Sequence, residues 1–299
     1  MLPNRPTIGR RRVLVLGALA IPTVVGACGH RSAAVTDHRV AVSTAGLPSA
    51  TPLTRSSATT DTTPSLAVDA SRYAGQLPQH WGTDLSGVES SLTHLSHGAR
   101  TIALTLDACG GAHGSNVDRQ VLDVLAEYAI PATVFLNERW IRANLVETEH
   151  LIANPQLRVE NHGSTHVPLS VTGRAAYGIA GTVSAAEVID EIESNRELLR
   201  SLGVESTWFR AGTAHYDDVA VSIAHDLGVR LAGFTVNADF GATATAAVVE
   251  KQVLSAQDGA IVLAHMNQPT SGTAAGLRSA LSVLVSSGVR FAHLDGGVP

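Results

Sequence analysis

Lysine is almost absent from this chain. Lys251 is the only one in 299 residues, so the positive charge is carried by scattered arginines. With a formal net charge of -5 and no basic stripe, nucleic-acid binding is not expected. Aromatic residues make up only 4% of the chain, which leaves Ala, Val, Leu and Ile to build the core. A hydrophobic content of 44% allows that core to be sizeable. Two cysteines, Cys28 and Cys109, do not make a disulfide framework. The apolar run near the N-terminus is too short for a comfortable membrane-spanning helix, and Pro22 interrupts it.

That run has another use. Arg10, Arg11 and Arg12 precede it and small residues follow it up to Cys28, the three parts of an export signal. Val25 to Cys28, "VGAC", resembles a bacterial lipobox, in which Cys28 is lipidated and becomes the mature N-terminus. "RRRVL" also resembles a twin-arginine export signal. A plain cleaved signal peptide is the alternative, and on either reading the protein is exported. The expected place is the cell envelope, lipid-anchored to the outer face of the bacterial membrane. Residues 1–28 are read as the signal, 29–75 as a disordered Ser/Thr/Ala/Pro-rich linker, and 76–299 as the folded domain.

Within the domain, apolar runs alternate with helical patterns. Strands are expected at 101–107, 132–136, 157–160, 206–210, 230–236, 260–264 and 290–294. "NVDRQVLDVLAEY" has helical spacing with Asp118 near its start, and Ser184 three residues before Glu187 is a capping box. This alternation predicts a parallel sheet, and seven strands suit a closed or nearly closed α/β barrel. Active sites of such folds lie at the C-terminal strand ends. Reactive side chains stand at or just after five of the seven: Asp107, the His162–His166 pair, Arg210, the Asn237–Asp239 pair, and His265.

Each of these residues has a chemical use. His162 and His166 are four apart, so a coiled segment would let both imidazoles face one metal. Two His and one carboxylate, with open positions for water, form a catalytic zinc-type set that acidifies water and polarises a carbonyl. His265 would act as a general acid near neutral pH, or is a core histidine. Arg210 follows Trp208 and Phe209, which suggests burial, and would hold a carboxylate in a fixed orientation. Asp239 would pair with His265 or Arg210, or forms an Asx turn before Gly241.

In order and spacing, "TLDACGG", "HGSTH", "FRAGTAHYD", "VNADFGA" and "IVLAHMN" resemble the five motifs of the polysaccharide deacetylases (NodB homology domain, carbohydrate esterase family 4), over about residues 98–295. The resemblance implies a distorted (β/α)7 barrel, a divalent metal such as zinc, and hydrolysis of acetyl groups. The bonds cut would be N-acetyl amides of amino sugars in an envelope polysaccharide such as peptidoglycan, or O-acetyl esters as in some members. It implies Asp107 as the base for the attacking water, Arg210 as its tether, His162 and His166 as metal ligands, His265 as the acid for the departing amine and Asp239 as its tuner. Tyr216, beside His215, and Asn267 would shape the sugar subsite. The fourth motif is shortened and lacks its usual Trp, and the third lacks Pro after Arg210.

The first motif departs further. The family has two adjacent Asp there, the second a metal ligand, and this chain has Asp107 followed by Ala108. Three readings follow. The metal is held by two His and waters; or Asp107 lies near the metal, the preferred reading, and still acts as base; or Cys109 or His113 is the third ligand. The missing Asp also motivates an alternative, a catalytically silent glycan-binding lipoprotein on the same barrel.

Overall fold

The computed structural model describes residues 68–93 and 98–296, all within one compact unit. The export signal at 1–28 and most of the linker read at 29–75 lie outside the described residues. The packed domain starts earlier than residue 76: Ala70–Tyr73 form a 3-10 turn, and the buried Tyr73 hydroxyl donates to Asp226 at 2.5 Å.

Eleven strands and seven α-helices alternate along the described residues. The strands are β1 Trp81–Gly82, β2 Val88–Glu89, β3 Thr101–Ala108, β4 Ala132–Leu136, β5 Leu157–Asn161, β6 Trp208–Phe209, β7 Tyr216–Asp217, β8 Arg230–Ala232, β9 Val236–Asn237, β10 Ile261–His265 and β11 Arg290–Phe291. The helices are α1 Arg119–Glu127, α2 Glu138–Ala143, α3 Leu145–Ala153, α4 Ala185–Ser201, α5 Asp218–Asp226, α6 Ala246–Leu254 and α7 Thr273–Ser286. None of the described helices is long and apolar enough to cross a membrane.

The main sheet runs β2-β8-β6-β5-β4-β3-β10-β9, with β11 also on β3, and every pairing in it is parallel. It curls into the distorted (β/α)7 barrel expected, but the path does not close: β2 and β9 are its edges. All seven expected strands are present. The run at 230–236 splits in two around Gly233, and the run at 206–210 shortens to two residues.

β3 is buried along its whole length, as a parallel strand covered on both faces should be. Its even residues, Ile102, Leu104, Leu106 and Ala108, enter the apolar layer shared with Val121, Val124 and Leu277 of the helices. Its odd residues face the barrel interior. Ala103 packs there with Phe135, Trp208, Ala232 and Ile261, an apolar floor below Thr105 and Asp107. This period of two decides which side chains reach the site.

Local capping follows the sequence signals. Asp118 accepts hydrogen bonds from the backbone of Gln120 and Val121 and caps α1. Ser184 accepts from the Glu187 backbone, and Glu187 reaches back to the Val183 N–H, closing the start of α4.

Candidate active site

Parallel register brings the strand ends level. Asp107 on β3 stands beside His265 on β10, and Ala108 beside Leu136 on β4. Leu136 pairs with Asn161, the last residue of β5, and Asn161 with Phe209. His162 and Arg210 directly follow those last two. A cleft of about 470 Å3 opens above these ends, lined among others by Asp107, Cys109, His166, His265 and Asn267.

Arg210 is 0% exposed and spends its donors on four partners. One terminal nitrogen donates to Asp107 Oδ1 at 2.8 Å and Thr105 Oγ1 at 2.9 Å. The other reaches the Gly233 carbonyl at 3.0 Å, and Nε the Ala232 carbonyl at 3.3 Å. The interruption between β8 and β9 turns these carbonyls toward the guanidinium. Burial works to raise the Asp107 carboxyl. Arg210, helped by His162 and His265, overcomes it and holds the group below the usual carboxylate range.

Asp239 is buried and pairs with His265, not with Arg210. Its Oδ1 lies 2.8 Å from His265 Nδ1, and its Oδ2 accepts from the His265 backbone at 2.8 Å and from Thr273 Oγ1 at 2.9 Å. Burial pushes the His265 imidazole down, but Asp239 outweighs it and sets the group well above its ordinary value.

His162 and His166 come together without a helical turn. The loop between them runs through left-handed backbone at Gly163 and at His166 itself (φ 63°). The rings sit edge to face, centroids 4.9 Å apart. Glu191 on α4 holds the loop, accepting from the backbones of Thr165 and His166 and the hydroxyls of Ser164 and Thr165. Asn137 donates to the carbonyls of His162 and Gly163. Gly212 lets the chain after Arg210 pass close behind, since a Cβ there would meet the His166 carbonyl carbon at 2.3 Å.

These residues fit a metal. His162 Nδ1 is held by the Arg210 carbonyl at 2.8 Å, leaving Nε2 to face the site. His166 Nε2 is buried with no hydrogen-bond partner. Donor atoms of Cys109, His162 and His166 all lie within 4.8 Å of one another. Burial raises the Cys109 thiol, yet the nearby His166 and His162 bring it well below its ordinary value.

Asp107, read from the sequence as a metal ligand as well as a base, is not in that donor group. Its Oδ1 is committed to Arg210, and its Oδ2 lies 3.6 Å from His162 Nε2. His113 is exposed on the cleft wall and is not in the group either.

Tyr216 does not shape the cleft. It is fully buried, and its hydroxyl accepts from the Ala211 backbone at 3.0 Å. Asn267 does line the cleft, with its amide nitrogen bound to the Gly114 carbonyl. Sequence reasoning missed Thr105, Thr273 and Glu191. Glu191 alone left a signal, a carboxylate on the same helical stripe as Val188, Ile192 and Asn195.

The sequence profile for polysaccharide deacetylase matches residues 94–232. The chain is 26% identical over 163 residues to the uncharacterized protein YlxY of Bacillus subtilis (strain 168), covering 54% of this chain and 47% of that one. It therefore spans about half the length of the curated relative it matches. In fold it is similar to BA3943 of Bacillus anthracis, described as a CE4 family pseudoenzyme, with a TM-score of 0.55, 24% identity, and 65% and 64% of the two chains covered. It is also similar to the peptidoglycan deacetylase PdaC of Bacillus subtilis, with a TM-score of 0.52, 21% identity, and coverage of 67% and 90%. The motifs, the matched profile and the curled parallel sheet agree: over residues 94–232 the chain is similar to the polysaccharide deacetylases, and its fold is that of the carbohydrate esterase family 4 structures, with a variant first motif.

Proposed function

We propose that the domain is a metal-dependent hydrolase that removes acetyl groups, the N-acetyl groups of amino sugars first, from an envelope polysaccharide such as peptidoglycan. The observation that carries this reading is the pair of buried partnerships on neighbouring strand ends. Asp107 tethered by Arg210 and His265 tethered by Asp239 stand in direct register beside two histidines in one cleft. A glycan-binding surface has no need of a carboxylate kept ionised and an imidazole kept protonated side by side on neighbouring strand ends.

A divalent metal such as zinc, when bound by this histidine pair, would polarise the acetyl carbonyl and acidify a water. Asp107 takes the proton of that water as its oxygen adds to the acyl carbon. Arg210 fixes the carboxylate in the orientation this requires. His265 donates its proton to the amide nitrogen as the C–N bond breaks, so acetate leaves and a free amine remains on the sugar. Above the site, Tyr177 is 81% exposed and Phe240 51% exposed on the cleft rim, apolar faces of the kind on which a pyranose ring stacks. The envelope location rests on the arginines, apolar run and Cys28 of the N-terminal segment; a lipid on Cys28 would sit in the membrane and tether the domain within reach of the glycan.

A second reading is a catalytically silent glycan-binding lipoprotein. Ala108 in the first motif and the likeness to a pseudoenzyme favour it. Acetate release from N-acetylglucosamine oligomers and peptidoglycan, with the metal content of the purified protein, separates the two. No acetate from any N-acetylated glycan, together with no metal in the protein, would sink the enzyme. Within the enzyme reading, Asp107→Asn should cut turnover by about 10²–10⁴-fold while the far-ultraviolet circular dichroism stays unchanged. Near-normal turnover would remove Asp107 from the role of base.

A further inference from the structure

We propose that Cys109 is the third protein ligand of the metal, a thiolate standing in for the carboxylate that the first motif lacks. The proposal rests on the reading above only in supposing that the histidine pair holds a divalent metal.

The period of the strand is the first argument. β3 continues through Ala108, whose side chain is fully buried in the apolar layer between sheet and helices. The methyl group at 108 offers no ligand atom. Two residues after Asp107, the alternation returns to the cleft side, and there Cys109 lines the pocket. Gly110 then turns the chain aside in the left-handed region (φ 70°), where a Cβ would meet the Trp140 backbone nitrogen at 2.6 Å. The exit of the strand is thus built to stop with the thiol in the site.

Distances are the second argument. Cys109 Sγ lies 3.9 Å from His162 Nε2, and the three donor atoms are mutually within 4.8 Å. Ligands at about 2.3 Å for sulfur and about 2.0–2.1 Å for nitrogen around one tetrahedral ion lie on the order of 3.5 Å apart, a small contraction from this arrangement. A fourth position remains for water or substrate.

The third argument is what the histidines are already doing. The Arg210 carbonyl engages one nitrogen of His162 and frees the other, and His166 Nε2 is buried without any partner. A buried imidazole nitrogen with nothing to bond costs stability unless a cation satisfies it. Asp107 approaches His162 alone: Arg210 holds its Oδ1, and its Oδ2, 3.6 Å from His162 Nε2, is outside the set of donors that all lie within 4.8 Å of one another. A Cys-His-His set is softer than one with a carboxylate, so it favours zinc over magnesium or manganese.

The test uses the full chain loaded with Co2+. One Co2+ per chain, an intense near-ultraviolet sulfur-to-cobalt charge-transfer band, and protection of Cys109 from iodoacetamide in peptide mass mapping are expected. Cys109→Asp should still take up Co2+ but lose the band. A loaded wild-type protein without the band, a band that persists in Cys109→Asp, or Cys109 alkylated as fast with metal as without it overturns the proposal. Should Cys109→Asp not fold, the band and the alkylation of the wild-type protein decide alone. Acetate release is scored separately. A band without acetate keeps the ligand and loses the deacetylase; acetate with Cys109 freely alkylated does the reverse.

Discussion

Arg210 and Asp239 show what it takes to keep charge inside this barrel. Each buried charge has an opposite charge in direct contact and uses its remaining hydrogen-bonding capacity on neutral groups, Thr105 and two carbonyls for Arg210, Thr273 for Asp239. Without such partners burial would neutralise both. The sign of the effect on His265 can be worked out. Burial lowers its pKa and Asp239 raises it further than burial lowers it. In the proposed reaction His265 is the general acid and must be protonated, so its loss of a proton would set the alkaline limb of turnover, placed high by Asp239. Asp239→Asn removes the largest opposition to burial and leaves only the smaller one from Cys109, so the alkaline limb of the kcat–pH profile should move to lower pH. The acid limb, set by Asp107 with its lowered pKa, should stay in place. An alkaline limb that does not move would take Asp239 out of the role of tuner. Stability follows the same signs. The raised His265 contributes below the ordinary imidazole value and loses that contribution as pH rises through its folded pKa. The lowered Asp239 contributes above the ordinary carboxyl value and loses it as pH falls.

Among the elements, the loop from Gly163 to His166 is the least regular and the most constrained. It has no ladder hydrogen bonds of its own, so Asn137, Asn161 and Glu191 satisfy its backbone from three neighbouring elements. The left-handed backbone of His166 persists because these contacts over-determine it. Glu191→Gln keeps the shape of the side chain but removes the charge that gathers four donors. We expect zinc affinity, measured by chelator competition, to fall about 10–100-fold, the usual effect of disturbing a group that orients a ligand. Unchanged affinity would reduce Glu191 to a helix–loop packing residue. The sequence signals for α4 were clear: a Ser184 cap, a Glu187 three residues on, and a closing Gly203. The role of Glu191 was hidden because its meaning depends on a loop that lies 25 to 27 residues earlier in the chain. Spacing made His162 and His166 legible as a pair, but pointed to a helical turn where a strained loop does the work.

At the scale of the whole molecule, strand–helix alternation made the parallel sheet legible, and the rule of strand ends located Asp107, His162, Arg210, Asp239 and His265 in one place. Two features stayed out of reach. In the break between β8 and β9 the backbone carbonyls at 232 and 233 turn to a buried guanidinium, and no local pattern reports that. Tyr216 looked like a cleft residue because it lies within the third motif, yet its hydroxyl serves the Ala211 backbone. A site assembled from separate strand ends ties metal binding to the stability of the entire domain. The donors at 109, 162 and 166 come from the ends of β3 and β5, which are not neighbours but flank β4. They meet only when the sheet is formed, so an ion that binds the folded site and not the unfolded chain stabilises the fold as a whole. At free zinc about 100-fold above its Kd the gain is about 2.7 kcal/mol. For a domain of this size each kcal/mol moves Tm by about 2–4 °C, so removing the metal with a chelator should lower Tm by roughly 5–10 °C. Adding zinc back should restore it in a concentration-dependent way. Chelated and zinc-loaded protein that melt at the same temperature would mean that these strand ends hold no ion in the folded state.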